Sequence, residues 1–379
     1  MHEFCAASSR KTDAKYEGIG TLGGLGKNNN MKIAGVGSAF PANYYRQEEI
    51  CAALKERWAN QLDKPEVIDR LHANAGVRHR HLSLPIPAYD QMTTWGRANN
   101  AWIDVAQELG EASLCRALSR CGFALQDLGA IFFTSVTGIA SPSIEARLVN
   151  LMGLPARIKR VPIFGLGCVA GAAGIARAYD YVKAYPDQVA ALVAVELCSL
   201  TWQRDDVSVA NLISAGLFGD GAAAVLISGA EKDADGPEIL ATRSNFYPDT
   251  QDVMGWDISE RGFRIVLSPD VPKMVHEHLA SDIDEFLADQ GLRRSDIGTW
   301  IMHTGGPKVL QAMTEALELP ANALDASWQS LSKVGNLSSA SVLVVLEDFM
   351  TERRPDPGTL SVLGAMGPGF CSELVLLRW

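Results

Sequence analysis

The chain has 379 residues, 47% hydrophobic and 21% charged, a balance that can bury a large core. Its net charge of -10 argues against a general binder of nucleic acid or membrane surfaces, though one local basic cluster would suffice for a small anionic substrate. Seven cysteines, with no Cys-x-x-Cys pair, argue against a disulfide framework or a zinc site and suit reduced thiols in the cytoplasm.

Residues 1–30 are polar and Gly-rich, lack a signal-peptide core, and read as a flexible extension or as sequence upstream of the true start. Gly18, Gly20 and Gly23 spell G-x-G-x-x-G there, but no strand precedes and no helix follows, so a dinucleotide site is rejected. From Met31 onward, strands are predicted over 31–37, 129–136, 158–164, 189–196, 221–228, 236–246, 298–303, 359–365 and 371–379. Helices are predicted over 47–58, 64–74, 97–121, 143–152, 168–184, 272–290, 306–317 and 338–350. Short apolar strands alternating with helices predict an α/β protein whose sheets are covered on both faces. No apolar run is long enough to span a bilayer, which takes about 20 residues.

An internal repeat organises the chain. Gly122 precedes Asp127-Leu128-Gly129 and an apolar run as Gly291 precedes Asp296-Ile297-Gly298 and another. The helices that follow end in Gly153-Leu154-Pro155-Ala156 and Glu318-Leu319-Pro320-Ala321. Gly167-Cys168 and Gly335-Asn336 each open a later helix at nearly the same spacing. The pattern predicts two α/β halves, 31–235 and 236–379, packed as a pseudo-dimer, with Cys168 and Asn336 in equivalent places at helix starts.

Cys168 follows the turn Phe164-Gly165-Leu166-Gly167 and opens a helix of tiny side chains. A helix N-terminus favours thiolate. Bringing a thiol from about 8.5 to about 6 takes roughly 3.4 kcal/mol. A helix dipole supplies at most about 2 kcal/mol, so a cationic partner is needed, and histidine is the usual one. Of seven histidines, His303 ends an apolar strand before Thr304-Gly305-Gly306-Pro307, where open α/β sheets place their chemistry. A satisfied core histidine is the competing reading. Asn336 suits either a helix N-cap or an oxyanion donor. Arg78-His79-Arg80-His81 is either a solvated run or a cradle for phosphates.

Cys168, His303 and Asn336 in this order, on duplicated halves, resemble the thiolase superfamily. Gly216-Leu217-Phe218-Gly219-Asp220-Gly221, Gly364-Ala365-Met366-Gly367-Pro368-Gly369-Phe370 and Lys333-Val334-Gly335-Asn336-Leu337-Ser338 resemble its type III polyketide synthase branch, the chalcone synthase-like enzymes. The stretches 160–168, 199–206 and 262–269 are similar to those of bacterial alkylresorcinol and alkylpyrone synthases.

The resemblance implies a thiolase-like fold in αβαβα layers. It implies a Cys168 thioester built from acyl-CoA, and malonyl-CoA decarboxylated at His303 and Asn336. It implies a cavity with Phe218 as gatekeeper, lined by Val136, Thr137, Cys198, Thr201, Ile265 and Ser338, and coenzyme A phosphates on Arg78 and Arg80. It further implies a cytoplasmic homodimer that needs no metal or redox cofactor, uses coenzyme A thioesters as substrates, and neither binds nucleic acid nor inserts in membranes. Val136 and Cys198 stand where the plant enzymes carry Thr, and Ile265 where they carry a second gatekeeper Phe, changes that make the cavity more apolar and, with the alkyl-type stretches, point to long fatty acyl starters. Thr304 stands where relatives carry Pro and is expected to loosen the turn holding His303. A single-condensation β-ketoacyl carrier-protein synthase and an inactive acyl-binding paralogue are the alternatives.

Overall fold

A computed structural model describes residues 31–379, so the extension lies outside the described residues. The first half runs β1 (Lys32–Ala39), β2 (Asn43–Arg46), α1 (Gln47–Trp58), α2 (Val67–Ala73), β3 (His79–Leu82), α3 (Trp95–Ser119), β4 (Leu128–Thr134), α4 (Ile144–Met152), β5 (Lys159–Ile163), α5 (Ala170–Ala184), β6 (Val189–Leu197), α6 (Val209–Leu217) and β7 (Asp220–Ser228). The second runs β8 (Glu238–Phe246), β9 (Met254–Ser259), β10 (Gly262–Leu267), α7 (Val271–Ala288), β11 (Ile297–Met302), α8 (Pro307–Ala316), α9 (Asp325–Val334), α10 (Ser341–Thr351), β12 (Leu360–Gly367) and β13 (Cys371–Arg378).

Nine strands form one sheet in the order β11-β12-β13-β8-β1-β7-β6-β4-β5. The repeat is visible in it. β4 and β6 run parallel, and β6, β7 and β1 follow as antiparallel neighbours. β11, β12, β13 and β8 repeat that arrangement in the second half. The halves meet where Lys32 of β1 pairs with Glu238 of β8.

Both β6 and β7 are buried along their whole length, the mark of strands covered on two faces. Helices α5 and α10 fill the centre, packing against strands of both halves in one apolar cluster with Val36, Leu192, Val225, Leu363 and Val375. Helix α3 covers the outside of the first half and α7 with α8 the outside of the second. This is a five-layer thiolase-like α/β fold.

One expectation needs correcting. The 3-10 turn Gly167–Val169 leads into α5 as the 3-10 turn Ser338–Ala340 leads into α10. The structural counterpart of Cys168 is therefore Ser339, and Asn336 sits just ahead of the turn. In the second half the turn follows helix α9 rather than a strand, which hid this from the spacing.

Candidate active site

Cys168, Phe218, His303 and Asn336 line one cavity of about 520 Å³. Its walls are otherwise largely apolar, with Leu217, Met254, Leu267, Val275 and Phe370 among them. Each catalytic candidate is set at the end of a rigid element. Cys168 sits in the turn before α5, His303 directly after β11, and Asn336 after α9. Gly167 has φ +54°, and a Cβ there would meet Pro368 Cδ and Cγ at 2.7 Å. The Gly-Pro-Gly loop between β12 and β13 thus packs directly on the nucleophile's turn.

The Cys168 thiol donates to Ser338 Oγ at 3.7 Å, and Ser338 holds its turn with φ 47°. The Asn336 amide oxygen accepts from Ser338 N (2.8 Å) and Ser341 Oγ (3.3 Å). With its oxygen engaged, the amide presents Nδ2–H to the cavity as the remaining donor. His303 N donates to Gly364 O at 3.0 Å, which ties the residue after β11 to β12. Its Nδ1 is buried without a partner, leaving Nε2 for the cavity. Thr304 is fully buried with its hydroxyl unpartnered, and Gly305 N closes back on His303 O at 3.0 Å.

In the free site, burial opposes the expected thiolate–imidazolium pair. Burial pushes the Cys168 thiol up to about 12, and burial alone pushes His303 down to about 4. Desolvation outweighs the helix terminus here, so both groups rest neutral. A neutral imidazole can still accept the thiol proton during attack.

A second buried group lies beside the thiol. Glu196, at the end of β6, is fully buried, and that burial raises its carboxyl to about 7. Four donors oppose the shift: Val136 N at 3.1 Å, Thr137 Oγ1 at 3.0 Å, Ser135 Oγ at 3.3 Å, and the Ser339 hydroxyl. Glu196 thereby ties the turn before α10 to the first half.

The remaining candidates divide. Phe218 lines the catalytic cavity and pairs with Asn336 as an isolated bridge. Thr137 and Thr201 instead line a second cavity of about 740 Å³, with Trp95, Trp202 and Phe263. The Thr137 hydroxyl is also fully engaged, accepting from Trp102 Nε1 (3.2 Å) and Leu197 N (2.9 Å) while donating to Glu196. Val136, Cys198 and Ile265 line neither cavity, but their chain neighbours Thr137, Ser199 and Arg264 line the second. Cys198 is close enough to Cys168 for their charges to interact. None of these three residues therefore lines either cavity.

Arg80 is not a phosphate ligand. It is fully buried in β3, because the strand alternation puts Arg80 and Leu82 inward. Arg78 is exposed but does not line the catalytic cavity. The cation that does is Lys308, exposed at the mouth as the second residue of α8. Sequence reasoning passed over it, although its place just after Gly305-Gly306-Pro307 was a usable signal.

Residues 24–231 match the family model for the N-terminal domain of chalcone and stilbene synthases, and residues 238–379 match the C-terminal one. The chain belongs to the chalcone and stilbene synthase family. The chain is 51% identical over 350 residues to the 1,3,6,8-tetrahydroxynaphthalene synthase of Streptomyces peucetius subsp. caesius, covering 92% of this chain and 93% of that one. It is 36% identical to a putative chalcone synthase of Bacillus subtilis, covering 92% and 98%. The crystal structure of the Streptomyces coelicolor tetrahydroxynaphthalene synthase, a bacterial type III polyketide synthase, superposes with a TM-score of 0.87 at 32% identity, covering 92% of this chain and 99% of that one. The present chain is accordingly a type III polyketide synthase, an acyltransferase that condenses malonyl units. Among the described residues no helix of this synthase is long and apolar enough to cross a membrane.

Proposed function

We propose that the synthase loads an apolar acyl group from coenzyme A onto Cys168 and extends it with malonyl units before ring closure. The observation that carries this reading is the convergence of Cys168, His303 and Asn336 on one apolar cavity. In loading, Cys168 Sγ attacks the thioester carbon as its proton passes to His303 Nε2. The carbon–sulfur bond to coenzyme A breaks, and the leaving sulfur takes that proton. In extension, the carboxylate of malonyl-CoA leaves as carbon dioxide, and its bonding pair moves into an enolate. The charge on the enolate oxygen meets the Asn336 amide and, when that nitrogen carries a proton, His303 Nε2. Fixed donors favour this state over bound substrate. The enolate carbon attacks the Cys168 thioester, a carbon–carbon bond forms, and the Cys168 sulfur leaves. The lengthened chain, now on coenzyme A, returns to Cys168 for the next round. No metal or redox group is required. Lys308 at the mouth, in place of Arg80, meets the anionic end of coenzyme A.

The starter choice rests on the largely apolar walls of the catalytic cavity, Leu217, Met254, Leu267, Val275 and Phe370 among them. A fatty acyl chain gains up to about 0.8 kcal/mol per buried methylene. An alkylpyrone or alkylresorcinol is the product class that follows. A second reading, priming by malonyl-CoA itself, is favoured by the tetrahydroxynaphthalene synthases among the relatives. Mass spectrometry separates the two. With malonyl-CoA and a panel from hexanoyl- to octadecanoyl-CoA, kcat/KM should rise toward dodecanoyl-CoA and beyond. A naphthalene product from malonyl-CoA alone, undiminished by added acyl-CoA, would overturn the fatty-acyl reading.

The synthase is also proposed to act as a homodimer. β5 is a sheet edge paired only with β4. Val161, Phe164 and Ile139 near that edge are exposed, an uncovered apolar margin of the kind a twofold interface buries. Sedimentation at micromolar concentration should give a dimer. A fully active monomer would refute it.

A further inference from the structure

The last turn of α6 ends against Phe218 and is unusually well capped, by side chains from outside the cavity. Arg80 Nη1 donates to Phe218 O at 2.6 Å, and Arg80 Nη2 donates to Ala215 O. Gln47 Nε2 donates to Gly216 O at 2.6 Å. His72 Nε2 lies 3.2 Å from Leu212 O. A helix leaves its last carbonyls without intrahelical partners, and a cation there also complements the dipole. All three side chains are buried, and they come from α1, α2 and β3.

The clamped segment is the one that carries Asn336. Asn336 N donates to Leu217 O at 3.0 Å, and Gly219 N donates to Asn336 O at 3.0 Å. The oxyanion donor is thus held on both sides by residues that flank Phe218. Packing leaves the segment no slack: a Cβ on Gly219 would lie 2.3 Å from Val334 O and 3.3 Å from Arg80 Cβ. The residue leading into β3 grips the other approach to Asn336 as well, since Arg78 N donates to Ser332 O at 2.9 Å.

We propose that Arg80, assisted by Gln47, is a positioning residue for malonyl-CoA decarboxylation, acting through the Leu217–Gly219 segment on the amide of Asn336. It touches no substrate. The inference rests on the reading of Asn336 as the enolate-oxygen donor. Placement matters because a donor displaced by a fraction of an ångström stabilises the transition state much less than one already in line. Loading of Cys168 feels this segment only indirectly, through Ser338, so the clamp bears on decarboxylation more than on loading.

The test uses the full-length protein and measures two partial reactions separately, acyl loading of Cys168 by intact-mass spectrometry and carbon dioxide release from malonyl-CoA. Arg80→Met should cut the kcat of decarboxylation tenfold or more, with KM for malonyl-CoA and loading little changed. Arg80→Lys, which keeps the charge but reaches only one carbonyl, should recover part of the loss. Arg80→Met in an Asn336→Ala background should cost no further decarboxylation, because the path ends at that amide. If Arg80→Met fails to fold, Gln47→Met carries the test, with the same pattern at two- to fivefold. Equal losses in loading and decarboxylation, or a full further loss in the double variant, would overturn the clamp. Asn336→Ala decarboxylating at the wild-type rate would instead overturn the reading of Asn336 on which the clamp rests.

Discussion

The two turns that bring the site together occupy equivalent places in the repeat, yet they are held in opposite ways. Gly167–Val169 is fixed by shape: Pro368 from the second half fills the space that Gly167 leaves open. Ser338–Ala340 is fixed by a hydrogen bond: the Ser339 hydroxyl donates to the buried carboxyl of Glu196 from the first half. Each half therefore secures the other's turn. The duplication supplied two copies of one scaffold, and chemistry arose where the copies diverged. An oxyanion donor is best served by a turn that cannot move.

The largest expected effect breaks the first turn. Cys168→Ala should abolish acyl loading altogether, while the remaining thiols stay unacylated in peptide mapping. An acyl group trapped on Cys198 or Cys51 would show that the nucleophile is misassigned. Next in size is the second turn. Asn336→Ala should slow malonyl-CoA decarboxylation by about 10²–10³ and leave loading intact, the usual loss for one oxyanion donor. Poor loading with normal decarboxylation would reverse the division of labour.

The buried carboxyl that anchors the second turn should be visible as a pH dependence. Burial raises Glu196 to about 7 in the folded protein, above its ordinary range. A group raised in this way favours folding below its unfolded pKa and loses that advantage as pH rises through the folded value. Relative to Glu196→Gln, wild-type stability should therefore fall by up to about 3 kcal/mol between about pH 4 and pH 8. A difference in denaturation midpoints that does not move with pH would mean the carboxyl is not buried as described. The smallest effect sharpens the first turn. With its thiol pushed up to about 12, Cys168 should be alkylated about tenfold faster for each unit of pH up to about 9, with no plateau. A plateau near neutral pH would reveal a standing ion pair with His303.

Much of this was legible in the chain itself. Cys168, His303 and Asn336 each sat beside a glycine-rich turn, and the apolar runs of β4, β6, β7, β11 and β12 were strong enough to read. The rest depended on contacts across the fold. Helix α6, Val209–Leu217, is a short apolar run that helical and extended patterns fit equally well. The hairpin of β9 and β10 and the short helix α9 were likewise missed. Arg80 was misread because a basic run looks solvated until strand alternation and the carbonyls of α6 bury one member of it. Val136, Cys198 and Ile265 were grouped as apolar but line neither cavity, since which neighbours of a cavity wall face it is set by contacts across the fold.

The central claim is that the two halves perform separable steps, thiol chemistry on one turn and enolate stabilisation on the other. Carbon dioxide release from malonyl-CoA by Cys168→Ala and Asn336→Ala, measured side by side, tests it most directly. Cys168→Ala should continue to decarboxylate at a rate within a few-fold of wild type, roughly 10²-fold faster than Asn336→Ala. Loss of decarboxylation in Cys168→Ala, or its survival in Asn336→Ala, would contradict the account.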